Sequence, residues 1–242
     1  MKLMQLNVWG GRLGKQIQNL IDQEKPDVIC LQESVSMKGG SNGGWFLTVD
    51  EIKRLNKMNL TYSPVISFSF MRRKAEFGNA ILTKAKILNQ NTVFTRLEYK
   101  KDFDYESDDH NIRNLLHVIV DNKGKQLHIL THHGHHVPNH KKGNEDTLRQ
   151  CNQIAEYIKG LKGEIILTGD FNLEPNSESI NKINKILRNL AIEAQLITTR
   201  TPLTHKTEVC DYIFVNDEVR VKSFNALDDV VSDHKALILE FS

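Results

Sequence analysis

Residues 165–172 read Ile-Ile-Leu-Thr-Gly-Asp-Phe-Asn, a short apolar run that ends in a polar group. The run has the length and the branched side chains of a buried β-strand, and its glycine allows a sharp turn or a close approach to a ligand. In an extended chain Asp170 and Asn172 point to the same side, where a carboxylate and an amide can orient a water and hold a phosphate oxygen. The alternative is an Asx turn that leads to Pro175.

Three further polar groups lie at the ends of strand-like runs. Asn7 ends the first run, Glu33 follows the run over 28–32, and Asp233 and His234 precede the last run. Parallel sheets place catalytic groups where their strands end in loops. Glu33 is either solvated at the sheet rim or bound to a cation, and Mg²⁺ takes only one or two protein carboxylates. Asn7 is either a turn residue or part of the same site.

Asp211 opens a strand-like run and is a candidate partner for His234. An Asp–His pair fixes the imidazole tautomer and raises the pKa of the imidazole, which prepares it to act on a phosphate or a water. The alternatives are a solvated histidine at the sheet edge and an aspartate that merely begins a strand.

Residues 131–140 hold half of the ten histidines. Imidazole is a good zinc ligand, but no cysteine or carboxylate falls at ligand spacing, and adjacent histidines point in different directions. We therefore expect a solvated basic loop that Lys141 and Lys142 extend. His132 follows a strand-like run directly and is the histidine expected to reach the site.

Strand and helix patterns alternate along the chain. The strand-like runs cover residues 2–8, 28–32, 62–70, 79–82, 87–94, 115–120, 127–131, 165–168, 212–215, 220–224 and 236–241. Helical apolar spacing occurs over 13–21, 48–55, 145–158 and 180–190. The second helix begins with a capping box from Thr48 to Glu51, and Gly160 caps the third. Residues 121–124 predict a hairpin turn, and the charged residues 99–111 predict a surface loop.

The 242 residues, of which 39% are hydrophobic, suit one α/β domain over 1–242. The net charge of +2 gives no overall field that would attract nucleic acid. The odd, dispersed cysteines (Cys30, Cys151 and Cys210) predict buried reduced thiols. Because the chain lacks a signal-peptide pattern and a long apolar stretch, we expect a cytoplasmic protein with no stable membrane association.

Seven motifs together resemble those of the endonuclease/exonuclease/phosphatase superfamily, which has the DNase I-like fold. They are Leu-Asn-x-Trp (6–9), Leu-Gln-Glu (31–33), Gly-Asn-Ala-Ile-Leu (78–82), Thr-His (131–132), Gly-Asp-Phe-Asn (169–172), Asp-Tyr-Ile-Phe-Val (211–215) and Ser-Asp-His (232–234). The resemblance covers nearly the whole chain. It implies a four-layer α/β sandwich in which two mixed β-sheets pack face to face and helices cover the outer faces.

The resemblance also implies roles at the site. Glu33 would be the principal Mg²⁺ or Mn²⁺ ligand, with Asn7 nearby at the metal and phosphate and Asp233 beside the metal. Asp170 would orient or deprotonate the attacking water. The remaining implied roles concern the phosphate: His132 and Asn172 would bind it, His234 paired with Asp211 would stabilise or protonate its oxygens, and Arg113 falls where many members keep an arginine.

These observations predict a metal-dependent hydrolase that cleaves a phosphodiester by in-line attack of water. The expected substrate is DNA or RNA, and the expected state is a monomer. Three alternatives stay open at this point: an enzyme for inositol phosphates, phospholipid or another small phosphoester, a catalytically inactive binding scaffold, and a zinc protein organised by the histidine-rich loop.

Overall fold

The computed structural model describes residues 1–41, 46–70 and 72–242, and all eleven predicted strand runs form strands there. The strands are β1 Lys2–Asn7, β2 Val28–Ser36, β3 Asn59–Phe70, β4 Arg73–Thr83, β5 Ile87–Arg96, β6 Arg113–Asn122, β7 Lys125–His133, β8 Glu164–Asp170, β9 Arg188–Asn189, β10 Asp211–Val215, β11 Val221–Ala226 and β12 Leu237–Phe241. The helices are α1 Gly14–Glu24, α2 Val49–Asn56, α3 Glu145–Lys159, α4 Glu178–Asn184 and α5 Leu190–Glu193, and a 3-10 turn spans Trp9–Gly11.

The strands form two six-stranded mixed sheets. Sheet I has the order β11-β12-β1-β2-β4-β3, and sheet II has the order β5-β6-β7-β8-β10-β9. Each sheet contains one parallel pair, β1 with β2 and β7 with β8. The carboxyl ends of a parallel pair meet at one edge of the sheet, so each sheet brings two strand ends to the same place.

Three apolar layers hold the four-layer arrangement together. The layer between the sheets contains side chains from both, such as Leu3, Val118 and Leu239. A second layer packs α1 and α2 on the outer face of sheet I, and a third packs α3 and α4 on the outer face of sheet II. Because both faces of the central strands are covered, most of their side chains are buried and many are apolar. The predicted α/β sandwich is confirmed.

Local sequence signals account for most helix ends. Thr48 and Glu51 form the predicted capping box at the start of α2, and Gly160 is the C-cap of α3. The single helix predicted over 180–190 is wrong, because α4 ends at Asn184. The Asn189 side chain accepts hydrogen bonds from the backbone N–H groups of Ala191 and Ile192, which begins α5 as a separate turn.

The three cysteines are free and buried, as predicted. Burial raises the pKa of the Cys30 and Cys151 thiols to about 12, so both stay protonated at neutral pH. Within the described residues, no helix is long and apolar enough to cross a membrane.

Candidate active site

The predicted polar groups meet where the two sheets end. Asn7 is the last residue of β1. It pairs with Gln32 of the parallel strand β2, and Glu33 is the next residue of that strand. Asp170 ends β8 and lies opposite Asp211, the first residue of β10, in the antiparallel register. His234 lies just upstream of Leu237, the first residue of β12, and β12 pairs with β1. The packing of the sheets thus brings the ends of five strands together in one cluster.

Glu33 points out of its sheet because β2 bulges there. The register between β2 and β4 shifts between Leu31 and Ser34, and Glu33 has a φ of 52°, an unusual value for a residue other than glycine. Asn7 Nδ2 donates to Glu33 Oε1 and to Asp170 Oδ2, both at 3.1 Å. Its own oxygen accepts from the backbone N–H of Trp9. The Asn7 amide therefore joins the carboxylates of the two sheets.

Asp170 and Asn172 form the Asx turn that the sequence offered as the alternative. Asn172 has a φ of 56°, and its backbone N–H donates to Asp170 Oδ1 at 2.9 Å, so the extended arrangement is wrong. Gly169 is required by close packing, because a Cβ there would lie 2.0 Å from the carbonyl oxygen of His132. Burial favours the neutral acid at Asp170, but His234, Arg200 and other neighbouring cations lower its pKa far below the usual range.

The predicted Asp211–His234 hydrogen bond is present. His234 Nδ1 lies 2.8 Å from Asp211 Oδ2 and 3.0 Å from Oδ1, and both side chains are buried. Thr199 Oγ1 donates to the same carboxylate at 2.6 Å, which fixes its orientation. Nε2 of His234 lies 3.5 Å from Asp170 Oδ2. Burial acts to lower the pKa of His234, but the Asp211 and Asp170 carboxylates outweigh it and raise the pKa.

The histidine-rich segment is not the solvated loop that we expected. His132, His133, His135 and Lys141 are buried, because β7 extends to His133 and the following turn packs against β8. In the described residues the one group of three close metal-ligating side chains is Asp170, Asp211 and His234, so this segment provides no zinc site of that kind.

His133, rather than His132, faces the carboxylates. His133 Nε2 lies 3.8 Å from both Glu33 Oε1 and Asp170 Oδ2. The ring of His132 points elsewhere, and its Nδ1 bonds the carbonyl oxygen of Asn114. Adjacent side chains of a strand point to opposite faces of the sheet. An error of one residue in the predicted register therefore assigns the wrong histidine to the face with the carboxylates. Burial lowers the pKa of both imidazoles. The phosphate-binding role of His132 stays a prediction.

Arg113 is also buried at the site, where burial lowers its pKa to about 10. Its guanidinium donates to three backbone carbonyl oxygens, those of Gly134, His110 and Ile112, and to the side-chain oxygen of Asn111. These bonds hold the loop before β6 against the turn after β7. Phosphate binding by Arg113 stays a prediction.

Two buried cations at the site were not predicted from the sequence. Lys141 donates to Asn172 Oδ1 at 2.7 Å, and Arg200 contacts His234 Nε2 through Nη1. In the sequence Lys141 belongs to a basic stretch that resembles a solvated loop. Arg200 precedes His234 by 34 positions and lies in no strand or helix pattern. The surrounding sequence Thr-Thr-Arg-Thr (198–201) is polar and gives no sign that residues 199–201 are buried.

Together, the two facing sheets and a cluster of carboxylates, amides and an Asp–His pair at their shared edge define a phosphoester hydrolase. The chain belongs to the Endonuclease/Exonuclease/phosphatase family, whose sequence model matches residues 4–234. The protein is thus a hydrolase that acts on phosphoric ester bonds. No curated protein sequence matches the chain.

Solved structures share the fold at low sequence identity. An endonuclease/exonuclease/phosphatase from Bacteroides vulgatus has a TM-score of 0.74 at 16% identity, and the alignment covers 100% of this chain and 98% of that one. The human Nocturnin catalytic domain with bound sulfate anion also has a TM-score of 0.74, at 20% identity, with coverage of 100% and 93%. A mannosyl-6-phosphatase from Bacteroides thetaiotaomicron has a TM-score of 0.68 at 17% identity, with coverage of 100% and 99%.

Proposed function

We propose that this protein hydrolyses a phosphodiester of DNA or RNA with the aid of Mg²⁺ or Mn²⁺. The observation that supports the reaction is the geometry of His234, which Asp211 holds on one side and whose Nε2 faces Asp170 at 3.5 Å. An imidazole and a carboxylate that face each other can act together, one on a water nucleophile and the other on a phosphate oxygen.

The residues around Glu33 fit a divalent cation. Its side chain is 28% exposed, and no lysine or arginine among the described residues lies within 4.0 Å of its carboxylate. Burial raises its pKa, and the nearby carboxylates of Asp170 and Asp233 raise it further. Glu33 would hold the ion, with Asn7 and Asp233 adjacent, and carboxylate oxygens suit Mg²⁺ and Mn²⁺. When bound, the ion supplies positive charge that neutralises the negative charge of the reacting phosphate.

Side chains of the protein would position the attacking water and bind the phosphate. Asp170 stays ionised because neighbouring cations lower its pKa, so it can accept a hydrogen bond from the attacking water. Asn172, held by Lys141, binds a phosphate oxygen through its amide. Asp211 fixes His234 with Nδ1 toward the carboxylate, and Nε2 faces the phosphate and can stabilise or protonate it.

The small cavity at the site is compatible with an extended substrate. The cavity that borders Glu33, Arg113 and His133 is only about 10 Å³, smaller than a single sugar or base needs. The organic part of a substrate would then lie outside this cavity, which is compatible with a nucleic-acid strand along the surface. The cytoplasmic location and monomeric state inferred from the sequence belong to the same proposal.

A substrate panel tests the proposal. Purified protein with Mg²⁺ or Mn²⁺ is offered single-stranded DNA, duplex DNA with an abasic site, poly(A) RNA, 5′-tyrosyl DNA, inositol phosphates, mannose 6-phosphate and sphingomyelin. We expect cleavage of at least one nucleic-acid diester, with a higher kcat/KM than for any small phosphoester. Hydrolysis of sphingomyelin or of a phosphomonoester alone would contradict the choice of substrate.

A further inference from the structure

Arg200 is fixed to the segment that carries His234. The two residues form an isolated antiparallel bridge. On either side, the N–H of Thr201 donates to the Asp233 carbonyl oxygen at 3.1 Å, and the N–H of Lys235 donates to the Thr199 carbonyl oxygen at 2.8 Å. Because Thr199 also donates to Asp211, the Arg200 backbone and the Asp211–His234 pair form one rigid unit.

The guanidinium of Arg200 is buried but incompletely bonded. Its side chain is only 3% exposed, yet Nε has no hydrogen-bond partner within the described part of the chain. Nη1 contacts His234 Nε2 and lies 3.8 Å from Asp233 Oδ2, beyond hydrogen-bond distance. Burial of an arginine is unfavourable unless its donors are satisfied, so this arrangement implies an acceptor that the protein alone does not supply.

Arg113 provides the contrast within the same site. Its three guanidinium nitrogens all donate to protein oxygens, so the loops already use its bonding capacity. Arg200 keeps Nε available on a side chain that contacts the active-site histidine. Of the two buried arginines, Arg200 is the one with donors left for a ligand. Arginine binds phosphate through two adjacent N–H groups, and Nε with Nη2 forms such a pair on one edge of the guanidinium.

We propose that Arg200 is a catalytic residue that binds a non-bridging oxygen of the substrate phosphate through its guanidinium. Nε and Nη2, which share one edge of the guanidinium, would donate to the phosphate, while Nη1, which shares no edge with Nε, stays against His234 Nε2. The phosphate would thereby supply the acceptor that Nε lacks and would lie beside the active-site histidine. The inference rests on the proposed function, because the ligand is the phosphate group of that substrate.

The test measures phosphate binding without turnover. Metal-free wild-type protein and the variants Arg200→Gln, Arg200→Lys and Arg149→Gln are titrated with inorganic phosphate by calorimetry. Arg149 lies on α3 with a side chain that is 70% exposed, so its variant is the matched control. We expect Arg200→Gln to weaken phosphate binding about tenfold or more, Arg200→Lys to recover part of the affinity, and Arg149→Gln to bind like the wild type.

Steady-state kinetics on bis(4-nitrophenyl) phosphate supply the second readout. We expect Arg200→Gln to lower kcat about 100-fold, as does the loss of one charged donor to a developing oxyanion, with Arg200→Lys between this variant and the wild type. If Arg200→Gln does not fold, the Arg200→Lys result decides. Unchanged phosphate affinity in the folded variants, or no phosphate binding by the wild type, would overturn the inference. A wild type without diesterase activity whose phosphate binding still depends on Arg200 would refute the proposed function and support this assignment.

Discussion

The protein contains two buried series of hydrogen-bonded side chains, each with a histidine in the middle. One series contains charged groups and the other is neutral. At the site, His234 links Asp211 to Asp170, and the carboxylates raise its pKa against the effect of burial. On the outer face of sheet II, His117 Nδ1 lies 2.9 Å from the Tyr157 hydroxyl, and its Nε2 lies 3.0 Å from His128 Nδ1. Burial lowers the pKa of His117 to about 4.

The ends of the two series explain the difference. His128 Nε2 bonds the Lys162 carbonyl oxygen, and the Tyr157 hydroxyl accepts from Asn91, so every polar atom in that series has a partner and none is charged. The site instead contains opposed charges and the unpaired Arg200 Nε. A satisfied neutral series stabilises the fold, whereas an incompletely bonded charged cluster is suited to a ligand. Substitutions at the site should therefore lower turnover, whereas substitutions in the neutral series should alter stability.

The largest effect is expected at Glu33. Glu33→Gln removes the charge that would hold the cation and keeps the side-chain shape, so metal-dependent hydrolysis should fall by about 10⁴-fold, while the Tm stays unchanged. The loss is measured from rates of hydrolysis of an aryl phosphodiester at increasing Mg²⁺ concentrations. Glu164→Gln is the matched control. Glu164 is also buried, but it lies at the end of β8 away from Asp170 and accepts a hydrogen bond from Asn122. Activity of Glu33→Gln equal to that of the control would refute the metal assignment.

The Asp211–His234 pair should behave as one unit. His234→Ala and Asp211→Asn should each lower kcat about 10³-fold, because each removes the same oriented imidazole. The double variant should be little slower than His234→Ala. A double-mutant cycle on kcat decides the matter, and simple multiplication of the two losses would show that the residues act independently.

Lys141 should have a smaller effect through Asn172. Lys141→Met keeps the length of the side chain but removes the donor that fixes the Asn172 amide, so kcat should fall about 10- to 100-fold, as for a lost hydrogen bond to a charged group. Lys142→Met, a change at the adjacent exposed residue, should leave kcat unaltered. Equal kcat values for the two variants would indicate that Lys141 serves only the packing of its turn.

His117 should affect stability and leave turnover unchanged. Its imidazole stays neutral in the fold until the pH approaches 4, whereas in the unfolded chain it is protonated below about 6.5. Protonation therefore favours the unfolded chain increasingly as the pH falls from 6.5 to 4, by about 3 kcal/mol in total. Urea unfolding at pH 7 and pH 4 should show that His117→Gln loses about 3 kcal/mol less than the wild type over this interval. If both proteins lose the same unfolding free energy between pH 7 and pH 4, protonation of His117 does not contribute to the acid instability.

The sequence was sufficient for the strands and for the residues at their ends, because periodicity and polar interruptions are local properties. It was insufficient where a contact depends on how the sheets pack. Arg200 meets His234 only through a bridge between distant segments, and the choice between His132 and His133 depends on a register of one residue. Lys141 is buried by a turn whose charged sequence suggested exposure.

The claim that this edge of the sheets is a metal-dependent phosphodiesterase site is tested most directly by chelation. Hydrolysis of bis(4-nitrophenyl) phosphate is followed for the wild type and His234→Ala before EDTA, after EDTA and after excess Mg²⁺ or Mn²⁺. The account predicts a wild-type rate that EDTA abolishes and the metal restores, and a rate near background for His234→Ala in all three conditions. A wild-type rate unaffected by EDTA, or equal rates for the two proteins, would contradict it.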